Sequence, residues 1–237
     1  MQIITTRRDG SAVAKPFSWS YSRLKNFEAC ALRHKAVDID KEYREDESEQ
    51  LAWGDTVHKG AAKRLKDKSP LPAGLALLEP WCRRIEGNGA GVLLVEQKLA
   101  IASDYGPCDW FAKGNRPAWF RGVADAIKLV GDVALAIDWK TGKILEDSVQ
   151  LALMAQCIFS HHPQIQKIRT EFIWLKEDAT SRADFSRDDM IGLWRELLPR
   201  VQRLKDAHDT GVYPAMPGRL CRKWCPVQKC DHFGQRA

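Results

Sequence analysis

The sequence predicts an α/β fold: a central mixed β-sheet of about four or five strands with helices on both sides. Three observations point there. The stretch Gly122 to Lys140, GVADAIKLVGDVALAIDWK, reads as two strands joined by a tight turn at Gly131-Asp132. Val123, Ala124, Ala126, Ile127, Leu129 and Val130 form the first strand, and the apolar run Val133 to Ile137 forms the second, as expected for a strand buried on both faces. Two further runs, Gly91 to Ile101 and Lys167 to Leu175, carry strand patterning, the second rich in Ile, Phe, Trp and Thr. Segments with apolar residues every three or four positions, the mark of helices with one buried face, are interleaved with these strands.

In chain order, residues 1–17 form a loose arm. Ser18 or Ser20 caps a helix through Tyr21, Leu24, Phe27 and Ala31, with Cys30 and Arg33 near its end. The segment from Asp38 to Gln50 is highly charged and expected to be solvated. A second helix runs from near Ser48 to about Lys66, with Leu51, Gly54, Val57, Ala61 and Leu65 on one face and His58 projecting beside it. A histidine so placed is ordinarily just packed, but the small Ala61 and Ala62 let another element come close. Pro70-Leu71-Pro72 breaks the chain, and a short helix, Leu75 to Ile85, ends at Gly87-Asn88-Gly89.

In the strand Gly91 to Ile101, alternation puts Val92, Leu94, Glu96, Lys98 and Ala100 on one face, so Glu96 faces either a site or a solvated sheet edge. Asp104 to Pro117 is a Gly/Pro loop carrying Trp110 and Phe111, and Trp119 and Phe120 open the strand that leads to Asp125. After Thr141-Gly142-Lys143 turns the chain, a helix from about Glu146 to Phe159 carries Gln150 toward the hairpin, and Pro163 ends it. Ser186-Arg-Asp-Asp189 has the form of a capping box. It opens a helix striped by Met190, Leu193, Leu197, Val201 and Leu204, which Pro199 should kink. The main domain thus spans 18–212, and residues 213–237, rich in Pro, Gly, Arg and Cys, form an appended knuckle.

With 237 residues the chain can bury one sizeable core. No run approaches the ~18 apolar residues of a membrane span, and the N-terminal residues have no apolar core of a secretion signal, so a cytoplasmic location without membrane partners is expected. The net charge of +6 is compatible with a polyanionic partner. Seven cysteines, an odd number without a secretion signal, argue against a disulfide framework and for metal ligation or plain burial.

Into the apolar hairpin the sequence places Asp125, Asp138 and Lys140. Isolated charges in a low-dielectric core cost several kcal/mol or more, and a divalent cation between the carboxylates would compensate them. Asp125, Asp138 and the backbone carbonyl of Trp139 can offer hard oxygens to Mg²⁺. Lys140, two residues after Asp138, shares its face and can orient an attacking water or neutralise charge at a phosphate. A surface hairpin with alternating charges would look similar but would lack the apolar run before Asp138. A second constellation is Cys221, Cys225 and Cys230, three thiols in ten residues that need one more ligand to hold a tetrahedral ion or a cubane cluster. Cys82, Cys108 and Cys157 read as ordinary core or loop thiols. Basic and aromatic residues group at Arg219, Arg222, Lys223 and Trp224, and at Lys113, Arg116 and Trp119.

The chain resembles the PD-(D/E)XK nuclease superfamily, and within it the RecB-like exonuclease branch, from about Ser20 to Cys230. The matching pieces come in the family's order. They are Ser20-Tyr-Ser-Arg-Leu with Phe27 and Cys30, Gly54-Asp-Thr-Val-His58, Glu96, Gly122-Val-Ala-Asp125, Asp138-Trp-Lys140-Thr-Gly142, and Gln150. Met154 stands where the family usually has a tyrosine, which removes one hydroxyl contact to DNA. The resemblance implies a restriction-endonuclease-like core and metal-dependent hydrolysis of DNA phosphodiester bonds, from single-stranded or free ends. It implies that His58, Asp125, Asp138 and Trp139 bind Mg²⁺ or Mn²⁺. Lys140 would assist the nucleophile, and Glu96 and Gln150 would position water, metal or lysine. It also implies that Cys30 joins Cys221, Cys225 and Cys230 around a [4Fe-4S] cluster, tying the C-terminal segment back to the N-terminal helix. Zinc, with His232 as a further ligand, is the alternative. Recombination or repair in a bacterial or phage-infected cell, with a recombination partner protein, would be the setting. The rival readings are a same-fold endonuclease and an inactive DNA-binding module that keeps the cysteine site as a structural staple.

Overall fold

The computed structural model describes residues 16–44, 48–87, 89–145 and 147–235. Most of the expected N-terminal arm, part of the charged 38–50 segment, Asn88, Glu146 and the last two residues lie outside them. The chain groups into two compact units, one formed by Met1–Asp46 with Leu197–Ala237 and the other by Glu47–Glu196.

The second unit is built on six strands: β1 (Val92–Ile101), β2 (Pro107–Cys108), β3 (Phe120–Val130), β4 (Val133–Lys140), β5 (Lys167–Trp174) and β6 (Ala179–Ser186). Their order is β2-β1-β3-β4-β5-β6. All neighbours are antiparallel except β4 and β5. That parallel pair needs a crossover, and the helix Ser148–His161 between them supplies it. The hairpin expected at Gly131-Asp132 is present, with Val130 paired to Val133. Ala134, Ala136 and Ile137 of β4 are buried, whereas Val133, beside the turn, is 43% exposed.

The helix Glu49–Asp67 starts where the Ser48 hydroxyl accepts the Leu51 N–H at 3.2 Å, and it ends at Lys68 in a left-handed conformation. Its Val57, Ala61 and Leu65 bury against Val95, Ala126, Ile137, Trp139 and Ile173 on one sheet face. The helix Ser148–His161, capped by Asp147, packs Leu151 on Phe172 and Trp174 of the other face. The sheet is therefore sandwiched, as predicted.

Several expectations are corrected. The single helix Leu75 to Ile85 is a 3₁₀ stretch, Ala73–Leu78, followed by an α-helix, Glu79–Glu86. Pro80 has no N–H to continue the earlier turn, so a new helix must begin there. The strand β6 lacks the bulky apolar alternation of its neighbours and escapes a pattern search. Its inward positions are the small Ala179, Ser181 and Ala183 as well as Phe185. Lastly, Asp38 is not a solvated charge: it accepts from Asn26 at 3.0 Å and lies 2.7 Å from His34.

In the first unit the Ser20 hydroxyl caps Tyr21–Ala29, but that helix stops at Cys30, whose extended backbone separates it from the short Ala31–His34. Number the helices α1 (Tyr21–Ala29), α2 (Ala31–His34), α3 (Glu49–Asp67), α4 (Glu79–Glu86), α5 (Ser148–His161) and α6 (Asp189–Thr210). The last runs unbroken through Pro199. At its start Asp189 accepts from both the N–H and the hydroxyl of Ser186, so only the reciprocal half of a capping box forms.

One buried ion pair fixes α4 to the sheet. Glu171 of β5 is 3% exposed and its carboxylate is met by the Arg84 guanidinium. Removing one partner of such a pair leaves an uncompensated buried charge, although Arg84 is partly solvated and the effect is screened accordingly. Arg84→Ala should lower stability by about 1–3 kcal/mol in denaturant unfolding, and adding Glu171→Gln should recover part of the loss.

Candidate active site

Three carboxylates stand in one row across three adjacent strands. The pairs Val95↔Ala126 and Gln97↔Ala124 set Glu96 opposite Asp125. The pair Ala126↔Ile137 sets Asp125 opposite Asp138. Opposed residues of neighbouring strands project from the same face, so one register line delivers all three acids together. Glu96 has φ 55°, in the left-handed region. A residue with a side chain held there costs about 1–3 kcal/mol, and such strain gathers at functional sites.

The row is held from both sides. Packing of α3 on the sheet carries His58 to Asp125, with Nδ1 2.9 Å from Oδ1. The other oxygen of Asp125 accepts the Trp139 N–H at 2.8 Å, so this side chain, rather than a backbone carbonyl, meets β4 just past the last β3–β4 pair. Gly54, one turn before His58, lets the chain after β4 come near: a Cβ there would lie 3.3 Å from Thr141 Oγ1.

Beside the row, Asp138, Lys140 and Gln150 close a ring. Lys140 Nζ lies 2.7 Å from Asp138 Oδ2 and donates to Gln150 Oε1 at 3.2 Å, and Gln150 Nε2 donates to Asp138 Oδ1 at 3.3 Å. The ammonium also sits 4.5 Å from the Phe172 ring centroid. The contact with Oδ2 is an ion pair without hydrogen-bond alignment, and that buried oxygen accepts no hydrogen bond.

The electrostatics follow from this crowding. Burial, opposed by the Lys140 ammonium and reinforced by Asp125, pushes Asp138 up to about 6. Burial and then the Asp125 charge raise Glu96. The bond to Asp125 raises His58. All three groups hold protons more tightly than usual, as expected of a site short of positive charge.

A divalent cation fits these residues. Among the described residues, His58, Glu96 and Asp125 have donor atoms within 4.8 Å of one another. Asp138 stands beside this set, its Oδ2 ion-paired with Lys140. The sequence had Asp138 and the Trp139 carbonyl as ligands and Glu96 as an auxiliary group. Glu96 lies in the donor set with His58 and Asp125, and the Trp139 N–H is taken by Asp125. Phe172, beneath Lys140, left no signal in the sequence, because it reaches the site only through the parallel register Asp138↔Phe172.

In the first unit, Cys30, Cys221, Cys225 and Cys230 line one cavity of about 110 Å³, together with His232. None is in a disulfide. The Met216 N–H points at Cys30 Sγ and the Gly218 N–H at Cys221 Sγ, each at 3.4 Å. Cys82 and Cys157 are buried, and burial pushes the Cys82 thiol up to about 11, as suits inert core cysteines.

The family model of the PD-(D/E)XK nuclease superfamily matches residues 18–230. A crystal structure from Eubacterium rectale, named "Putative exonuclease", is similar over 84% of this chain and 84% of that one, with 12% identity and a TM-score of 0.54. The crystal structure of SSO0001 aligns over 93% of this chain and 89% of that one, with 14% identity and a TM-score of 0.48. At 12% identity the first likeness is one of fold. Comparison with curated proteins gives no match.

Proposed function

We propose, from the premise that the chain belongs to the PD-(D/E)XK nuclease superfamily, that it is a DNA exonuclease working with Mg²⁺ or Mn²⁺ on free, unpaired ends. The observation that carries this reading is the Glu96–Asp125–Asp138 row, met by His58 and flanked by the Lys140 ammonium. Glu96, Asp125 and His58 would hold the ion, with Asp138, opposite Asp125 on the next strand, adding a carboxylate beside them. The ion supplies Lewis-acid stabilisation of charge on the scissile phosphate. Lys140 would present its ammonium to the phosphate and the attacking water. Asp138 and Gln150 hold that ammonium in place, and Phe172 limits its movement. Gln150 is thus a positioning residue.

Preference for ends is supported by the fold likeness to a protein bearing the name exonuclease. Linear and covalently closed circular single strands of one sequence test it: the linear form should be digested and the circle spared. Nicking of the circle would replace this reading with a same-fold endonuclease. Recombination or repair, inside a bacterial or phage-infected cell, is the setting such an activity serves. No helix among the described residues is long and apolar enough to cross a membrane.

For the cysteine cavity the reading is a [4Fe-4S] cluster. Four cysteines line one cavity, and the Met216 and Gly218 N–H groups directed at two of the sulfurs match the hydrogen bonds that cluster-ligating sulfurs receive. Anaerobically purified protein should be brown, and Cys225→Ser should lose both the colour and several degrees of Tm. A colourless protein with one equivalent of zinc would overturn the assignment.

A further inference from the structure

We infer that the loop leading into β3 is a stacking platform for the unpaired bases of a single strand whose phosphates run along β1 and β3 to the carboxylate row. The inference rests on the nuclease reading and names the groups that would hold its unpaired strand.

The placement comes from the same register that builds the site. One two-residue step along β1 from Glu96 lies Lys98, and two such steps along β3 from Asp125 lie Val123 and then Arg121. Lys98 pairs with Val123 and Ala100 with Arg121. A two-residue step in a strand is about 6.8 Å, comparable to the separation of successive phosphates in an extended nucleic-acid strand. Lys98 and Arg121 therefore offer charges at nucleotide intervals from the row, Arg121 about 14 Å along the strand from Asp125.

Between these cations sits an aromatic ring. Lys98 Nζ and Arg121 Cζ each lie 5.9 Å from the Trp110 ring centroid. Arg121 Nε also donates to the Trp110 carbonyl at 2.7 Å, so the loop backbone is tied to the strand. The loop is braced further by Ala112 N–H to the Asp109 carbonyl and by Arg116, which holds both Asp104 oxygens and the Pro107 carbonyl. On this braced loop Phe111 is 76% exposed, and Val123 on the strand is 46% exposed. An aromatic side chain left bare on an anchored loop, with basic groups alongside, suits bases that have left their stack. A protein partner would suit an apolar surface without the flanking cations less selectively, whereas charge complementarity here favours a polyanion.

The arrangement also revises the cluster read from the sequence at Lys113, Arg116 and Trp119. Arg116 is committed to Asp104, and Trp119 packs against Tyr105 and Trp194. The basic and aromatic groups beside the row are instead Lys98, Trp110, Phe111 and Arg121.

The test uses a fluorescein-labelled single-stranded oligonucleotide, with Ca²⁺ replacing Mg²⁺ for binding and Mg²⁺ for digestion. Phe111→Ala should weaken single-strand binding about tenfold and raise KM with little change in kcat. Phe111→Trp should restore both, and binding of a blunt duplex should be insensitive to either change. Lys98→Ala should lower the salt dependence of single-strand binding by roughly one ion. Phe111 is exposed, so its removal leaves the fold intact. Wild-type digestion of DNA with Phe111→Ala indistinguishable from it would overturn the platform and leave the nuclease reading standing. A wild type that neither binds nor digests DNA would overturn the nuclease reading, and the platform with it.

Discussion

Lys140→Ala lowers Mg²⁺-dependent digestion of end-labelled DNA by roughly a hundred- to a thousandfold, the loss typical of removing one fixed charge that faces the transition state. Binding of the same DNA in Ca²⁺ should change little. The expectation comes from how the ammonium is held. It is 2.7 Å from Asp138, bonded to Gln150 and seated over Phe172, so its charge is fixed in direction before any substrate arrives. Gln150→Ala should produce a smaller loss in kcat with KM unchanged, because the ammonium remains but one of its two polar anchors is gone. Equal rates for Lys140→Ala and wild type would remove Lys140 from the chemistry. Absence of digestion by the wild type under every divalent cation would favour an inactive DNA-binding module instead.

Much of this site was legible before the structure because a single tight turn fixes it. Gly131-Asp132 sets the pairing of β3 with β4, and that pairing alone puts Asp125 opposite Asp138 with Lys140 one step on. Glu96 was not legible to the same degree. Its strand is separated from β3 by the β2 excursion, so its register is set by tertiary packing, and its left-handed backbone has no signature in a glutamate. The strand β6 failed for another reason: small residues suffice where α5 already fills the face, so selection for bulky alternation is relaxed. Pro80 should have split the predicted 75–85 helix, since the rule that interrupts it needs only the sequence. The break at Cys30 is different again. Nothing local demands it, and its effect is visible only once Cys30, Cys221, Cys225 and Cys230 surround one cavity.

Metal-free protein should lose stability from its site groups as pH rises from about 4 to 8, and Asp138→Asn should cancel part of that loss. The sign follows from the directions of the shifts. Asp138 moves up to about 6 from an ordinary value of 3.8, and Glu96 and His58 also move up. Each therefore binds more protons folded than unfolded, and stability falls with pH over the interval between its two values. For Asp138 that interval runs from 3.8 to about 6, and for His58 it begins at 6.5 and extends upward. His162, whose burial lowers its value, acts in the opposite sense, so the comparison is made between variants rather than across pH alone. The Tm of Asp138→Asn minus that of wild type, measured in chelator, should rise by a few degrees between pH 4.5 and 7. Adding Mn²⁺ should raise the wild-type Tm far more at pH 8 than at pH 5, because the ion must displace the protons that the crowded carboxylates retain. The same addition should do little to Asp125→Asn, which loses a donor shared by His58, Glu96 and the row. A Tm difference flat in pH, with Mn²⁺ stabilising both variants equally, would mean that these acids do not share a cation, and the site would need another chemistry.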